Sequence, residues 1–129
     1  MTEPFPEDVV RFLAAHVASI DQLEILRVLG EAPGREWTAA ALAAEVQVAP
    51  HALTAHLTAL GGRGLLRAEA ARPDLVYRLC PATPELGTLV LRVLQLYRER
   101  PVSMIKLVYA HADDPLRTFA DAFRLRKEG

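Results

Sequence analysis

The sequence predicts a mainly α-helical domain that contains one small β-hairpin. The chain has 129 residues, of which 51% are hydrophobic and 24% charged, the size and composition of a single globular domain. Apolar residues recur at helical spacing along most of the chain. Strand-like alternation stands out in one pair of segments, LLRAEA and LVYRLC, joined by turn-like residues 71–74. We therefore expect one domain over 1–129, with the hairpin over about 65–80.

Two helices are expected in the first quarter of the chain. An apolar stripe predicts the first over about 6–18. Ser19 begins the second, because Ser19 and Gln22 have the spacing of a capping box, which satisfies free amides at a helix start. The pair Pro33-Gly34 ends it.

A helix, a short break and a second helix follow. Thr38 is a good N-cap for the alanine-rich segment after it, and Trp37 before it is expected to anchor in the core. Residues 47–49 form the break. Pro50 suits the first turn of the next helix, over about 50–60, because its missing amide would be unpaired there anyway. The glycines that follow stop this helix.

Three more helices are expected over 84–127. The first is the strongly apolar segment PELGTLVLRVLQLYRER, and Pro101 interrupts the helix before VSMIKLVYAHA. The last is PLRTFADAFRLRK, with Phe119 and Phe123 on one face. The apolar surface of this extension is wide enough to pack on its own domain and on a partner, so we expect it to form a homodimer.

Charge is unevenly distributed, although the net charge is only −1. Residues 1–62 carry three basic and eight acidic side chains, whereas residues 63–112 carry eight basic and four acidic ones. The positive region thus begins where the helix over about 50–60 ends. The overall balance does not by itself indicate a polyanionic partner.

Several classes of function are not favoured. No nucleophile motif, phosphate-binding loop or paired carboxylates occur at an interpretable spacing, so we expect no enzyme and no cofactor. The histidines have no metal-ligand spacing, and we expect no metal. No apolar run reaches the roughly 18 residues of a membrane span. Cys80 stands alone and is expected to be buried, and we expect a cytoplasmic location.

The run LAAEVQVAPHALTAHLTALGGRGLLRAEA, residues 42–70, resembles the winged helix-turn-helix core of the MarR and ArsR types of bacterial regulator. Its matching positions are the apolar residues of the two helices and their turn, which would form a buried seam, and the glycine and paired leucines where the hairpin begins: Leu42, Val46, Val48, Leu53, Leu57, Leu60, Gly64, Leu65 and Leu66. With the helix in front and the hairpin behind, the resemblance covers about 20–80. The additional N- and C-terminal helices lie outside it.

The resemblance implies a transcriptional regulator that binds double-stranded DNA as a symmetric dimer. Helix 50–60 would enter the major groove, and the 65–80 hairpin would be the wing that flanks the backbone or minor groove. The residues that would contact DNA are those exposed on the helix and the arginines at its end and in the wing: His51, Thr54, Ala55, Thr58, Arg63, Arg67, Arg72 and Arg78. His56 is expected to be half-buried.

The chain also departs from the family pattern. Ala49 stands where a Ser or Thr cap is usual, and Ala55 where a basic or polar base-reading residue is common. From Pro50 to Gly62 there is no Arg, Lys, Asn or Gln, the side chains that make bidentate contacts to guanine or adenine. The alternative is a winged helix used for protein contacts, an adaptor with little or no DNA binding. The neutral helix and the acidic first half favour that alternative.

Overall fold

The computed structural model describes residues 5–71 and 74–112, and this part of the chain forms six helices and a three-stranded sheet. In chain order the elements are α1 (Glu7–His16), α2 (Ile20–Glu31), β1 (Trp37–Thr38), α3 (Ala39–Val46), α4 (Pro50–Gly62), β2 (Leu66–Ala71), β3 (Asp74–Leu79), α5 (Pro84–Glu99) and α6 (Pro101–Ala112). The predicted mainly helical class with one hairpin is confirmed. Arg72 and the helix predicted after Pro115 lie outside the described residues.

Helix α2 is the centre of the core. Leu23, Ile25, Leu26 and Leu29 are at most 1% exposed, and the helix contacts α3, α4, α5 and α6. It begins as the capping pattern predicts, since the Ser19 hydroxyl oxygen accepts a hydrogen bond from the Gln22 amide. Helices α3 to α6 are therefore placed against α2, whereas α1 packs on α5 and α6.

The seam between α3 and α4 is apolar, as the spacing predicts. Leu42, Leu53, Leu57 and Leu60 are at most 1% exposed. Val46 was expected to be equally buried, but it is only half-buried and packs on the edge of the core. It is the last residue of α3, next to the turn, where fewer atoms surround a side chain.

The sheet has the order β1-β3-β2 and is antiparallel throughout. The hairpin of β2 and β3 confirms the prediction, whereas the two-residue strand β1 is a strand that the sequence did not predict. Trp37 of β1 pairs with Tyr77 and is buried, as expected, and the Arg35 guanidinium lies 3.6 Å from the centre of its ring. This short strand joins the wing to the start of α3.

The two C-terminal helices use their apolar surfaces differently. On α5, Val90, Val93, Leu94 and Tyr97 are buried against the rest of the chain, while Leu91 is exposed. The segment after Pro101 is a helix, as predicted; it buries Met104 and Val108. Its outer face carries three exposed apolar side chains, called here the α6 stripe: Val102, Ile105 and Tyr109.

Candidate nucleic-acid interface

Helices α3 and α4 are joined by a tight three-residue turn. The Thr38 hydroxyl oxygen caps α3 by accepting from the Ala41 amide at 3.1 Å. The chain then reverses at Gln47, which has a left-handed backbone (φ 59°, ψ 48°). Ala49, the N-cap residue of α4, provides no side-chain cap, which agrees with the absence of Ser or Thr there. The turn thus sets α4 across α3.

One face of α4 is buried and the opposite face is exposed. His51, Thr54, Ala55 and Thr58 are all exposed, so the structure brings the four residues predicted on this helix together. The Thr54 hydroxyl donates to the Pro50 carbonyl at 3.0 Å, so its proton is already used within the helix. Its oxygen and methyl group remain for an outside partner.

The surface of the α3–α4 unit is nearly uncharged. Between residues 39 and 62 the only acidic or basic side chain apart from histidine is Glu45, which is exposed. Most of the other exposed side chains of α3 are those of alanines. A surface of this kind offers shape, methyl groups and hydroxyls rather than charge.

The wing carries the charge that the helix lacks, but part of it is neutralised. Arg67 and Arg78 are paired across the two strands, and both approach Glu69, at 3.7 and 3.5 Å. All three side chains lie on one face of the hairpin because they are two residues apart or directly opposite. The register also places the exposed Asp74 on this face, opposite Ala71, so the two arginines and two carboxylates of the described strands balance.

Another of the four predicted arginines, Arg63, is held by contacts inside the fold. Its Nη1 donates to the His16 carbonyl oxygen and to Oε1 of Gln22, both at 3.1 Å. The side chain is half-buried and ties the end of α4 to the α1–α2 connection. The structure therefore brings Arg67 and Arg78 together on the wing and separates Arg63 from them.

Sequence reasoning identified Gln22 only as a helix-capping residue and missed its contacts with α4. Gln22 is 4% exposed and its side chain bonds to Ala18, Arg63 and His56. His56 is half-buried, as expected. The available signal was periodicity: Gln22 has the helical spacing of Leu26 and Leu29, which places a polar side chain on the buried face of α2.

A second polar cluster lies between α2 and α5, away from α4. The Tyr97 hydroxyl donates to Glu24, which also accepts from Arg27, and Arg27 pairs with Glu31 at 2.7 Å. Burial, followed by the hydrogen bond to Glu24, raises the pKa of Tyr97 to about 12. The hydrogen bond to Glu24 is the largest cause that raises the pKa of Arg27.

Comparisons with known proteins identify the fold. No family model matches the chain, and no curated protein matches its sequence. Among solved structures, the winged helix-turn-helix DNA-binding domain of Mb0332 from Mycobacterium bovis, a homodimeric domain of a possible ArsR-family transcriptional regulator, is 23% identical with a TM-score of 0.55. The match covers 78% of this chain and 93% of that one. The chain has a winged helix-turn-helix fold.

Two further structures support this assignment. The transcriptional regulator HlyU from Vibrio vulnificus is 26% identical with a TM-score of 0.54, and the match covers 70% of this chain and 88% of that chain. HlyU from Vibrio cholerae is 21% identical with a TM-score of 0.57, covering 74% of this chain and 99% of that one. One of these structures is a transcriptional regulator and another a possible ArsR-family regulator, and the predicted resemblance to the ArsR type of winged helix is confirmed.

Other kinds of site were also sought within 5–71 and 74–112. No three His, Cys, Asp or Glu side chains in this part of the chain are placed to hold a metal ion. Cys80 is half-buried rather than fully buried. None of the helices described is long and apolar enough to cross a membrane.

Proposed function

We propose that this protein is a transcriptional regulator that binds double-stranded DNA, with α4 in the major groove and the β2–β3 hairpin as its wing. The observation that carries the proposal is that α4 is buried on one face and open on the other. Its leucines are packed in the core, and its four outward residues are all exposed. A rigid helix that presents one open face next to a hairpin is the arrangement that winged helix-turn-helix proteins use on DNA.

The two parts of this surface would contribute differently. Arg67 and Arg78 are suited to phosphates and, together with Arg72, which the sequence predicts in the wing turn, would supply most of the affinity. Thr54, Thr58 and His51 would face base edges with methyl groups, hydroxyls and a ring nitrogen. Because α4 has no side chain for bidentate contacts, sequence discrimination should be modest and binding strongly salt-dependent.

The test is a salt titration with a random DNA duplex. Each phosphate contact should contribute about 0.9 to the slope of log K against log salt, so three wing arginines predict a slope near −3 for each protomer. Fluorescence anisotropy from low to moderate salt measures this slope. Absence of binding at low salt, or binding that salt does not change, would contradict the proposal.

We also propose that the protein is a homodimer whose C-terminal helices meet through the α6 stripe. Two-fold symmetry suits the reading of paired half-sites, and the Mycobacterium bovis domain is homodimeric. The support from this chain is the exposure of Val102 and Tyr109, at 64% and 58%, on one face of α6. Helix α5, in contrast, buries most of its apolar face within its own chain.

Light scattering tests the dimer. The protein should have twice the mass of its 14.2 kDa chain at high micromolar concentration, and Ile105→Glu should halve that mass by placing a charge in the apolar contact. Leu75→Glu, which changes an equally apolar but distant exposed residue of the wing, is the control and should remain dimeric. A monomeric wild type would refute the dimer.

A second candidate, a protein-docking winged helix, is favoured by one observation. The open face of the α3–α4 unit has a single formal charge, at Glu45, and alanines around it, which suits a protein surface. If no duplex binds at low salt and a co-purifying protein is lost in His51→Glu or Thr54→Glu, this second function is the correct one.

A further inference from the structure

Among the residues that the structure describes, one polar side chain is buried, and it lies behind the exposed face of α4. Gln22 of α2 is 4% exposed. Its amide group contacts three segments: the α1–α2 connection at Ala18, the middle of α4 at His56, and the residue that ends α4, Arg63. A buried amide with all these partners is a fixed structural junction.

The hydrogen bonds determine which way the Gln22 amide points. Oε1 accepts from the Ala18 amide at 2.8 Å and from Arg63 Nη1 at 3.1 Å, and both of these groups are donors only. Nε2 must therefore face His56 Nδ1, which lies 3.1 Å away and must accept. The ring proton of neutral His56 is then on Nε2, the nitrogen 3.7 Å from the Asp21 carboxylate.

These bonds hold α4 at two points along its length. The leucine seam beneath the helix is apolar, and apolar contact has little directional preference. Hydrogen bonds are directional, so anchors at His56 and at Arg63 restrict both rotation of α4 about its axis and sliding along it. Because Gln22 serves both anchors, its loss would release both together.

We propose that Gln22 is the positioning residue of the recognition helix: by bonding His56 and Arg63, it sets the direction in which His51, Thr54 and Thr58 point. This inference rests on the proposed function for its consequence in DNA binding. The structural part of the inference, that Gln22 sets the orientation of α4 relative to α2, does not depend on DNA binding and is measured on the free protein.

Two substitutions separate the roles of the amide. Gln22→Met keeps the length of the side chain and removes its donor and acceptor. Gln22→Glu keeps the acceptor for Ala18 and Arg63, but its second oxygen requires a proton on His56 Nδ1. Gln95→Met is the matched control, because Gln95 is an exposed glutamine of α5 that donates to Glu99 of its own helix.

The first measurement uses NMR of the free protein. We expect long-range ¹⁵N spectra to place the wild-type His56 proton on Nε2 and to move it to Nδ1 in Gln22→Glu. Residual dipolar couplings of the α4 amides should show that the helix reorients relative to α2 in Gln22→Met and not in Gln95→Met. A wild-type proton on Nδ1, or an unchanged α4 orientation in Gln22→Met, would overturn the positioning role.

The second measurement is DNA binding by folded protein, well below the melting temperature of each variant. Gln22→Met should weaken binding to the preferred duplex about tenfold and leave the salt slope unchanged, because the wing arginines are intact. Gln22→Glu, which retains both anchors, should stay within about threefold of wild type. Equal affinity and preference in Gln22→Met and wild type would refute the effect on recognition.

The remaining outcomes are also decisive. If the wild type binds no duplex, the proposed function fails, and the NMR measurements alone decide whether Gln22 positions α4. If Gln22→Met does not fold, the couplings are measured on His56→Phe combined with Arg63→Met, which removes both anchors and leaves Gln22 in place. An α4 that keeps its wild-type orientation in this double variant would then overturn the inference.

Discussion

The two sides of this molecule use charge in different ways. On the support side, formed by α1, α2, α5 and α6, charged side chains are engaged with one another: Arg27 bonds Glu24 and Glu31, and Arg92 of α5 pairs with Asp8 of α1 at 2.8 Å. These contacts join helices to each other or brace one helix. Charge on this side is thus used mainly within the fold.

On the recognition side, formed by α3, α4 and the hairpin, charge is almost confined to the wing. Arg67 is 61% exposed and shares Glu69 with Arg78. Exposed ion pairs of this kind contribute little to stability. The Arg92–Asp8 pair is no less exposed, at 43% and 46%, so the two sides differ in what their charges join: helices on the support side, and the two strands of one hairpin on the other.

The largest loss of stability is expected from a change in the core between the two sides. Leu57 of α4 is 1% exposed, and Leu57→Asp places an unpaired charge in the core, which should cost more than about 4 kcal/mol and unfold the domain. Thr58→Asp puts the same charge on the exposed face one residue later and should melt near wild type. Circular dichroism melts that do not distinguish the two variants would contradict the assignment of the α4 faces.

The wing should affect binding without affecting folding. Arg67→Ala combined with Arg78→Ala should flatten the salt slope by about 1.8 units for each protomer, lower the affinity for all sequences alike and leave the melting temperature unchanged. Glu69→Gln is the opposite test. It removes the carboxylate near both arginines and should raise the affinity for DNA. A double variant that melts much earlier would show that the wing charges belong to the fold.

Tyr97 should affect folding without affecting binding. Tyr97→Phe removes the hydroxyl that donates to Glu24 and should cost about 1 kcal/mol in the free energy of unfolding, with DNA affinity unchanged. The folded-state pKa of Tyr97 is about 12, above the ordinary value of 10.0, so its stabilisation is complete below pH 10 and is lost as the pH rises to 12.

Chemical denaturation across this pH range measures the difference. The wild type should lose stability more steeply than Tyr97→Phe between pH 10 and 12, and the free-energy gap between them should narrow. Parallel curves for the two proteins would show that the Tyr97 hydroxyl is not held as described.

The backbone elements were predictable because local chemistry determines them. Ser19 and Thr38 begin helices through their hydroxyls, and Pro50 and Pro101 begin others where a missing amide is harmless. The hairpin followed from alternation on either side of a turn. Strand β1 was not predictable, because two residues have no periodicity, and Trp37 becomes a strand residue only when Tyr77 lies beside it.

The site was less predictable, because the neighbours of a charged side chain in the folded structure decide whether it is available to an outside partner. Arg63 and Arg67 look equivalent in the sequence, but Arg63 is engaged by His16 and Gln22, which are more than forty residues earlier. The partial neutralisation of Arg67 and Arg78 by Glu69 depends on strand register. The exposed residues of α4 were placed correctly because helical periodicity alone decides which side faces outward.

The left-handed turn at Gln47 has a consequence for engineering this protein. An L-residue with a Cβ atom in this backbone region is less stable than in a right-handed one by about 1–2 kcal/mol, and glycine avoids that penalty while adding about 0.5–1 kcal/mol of unfolded-chain entropy. Replacing Gln47 with glycine is therefore expected to raise the free energy of unfolding slightly. The turn lies just before α4 and outside its exposed face, so thermostable variants can be sought there without changing the proposed DNA-binding surface.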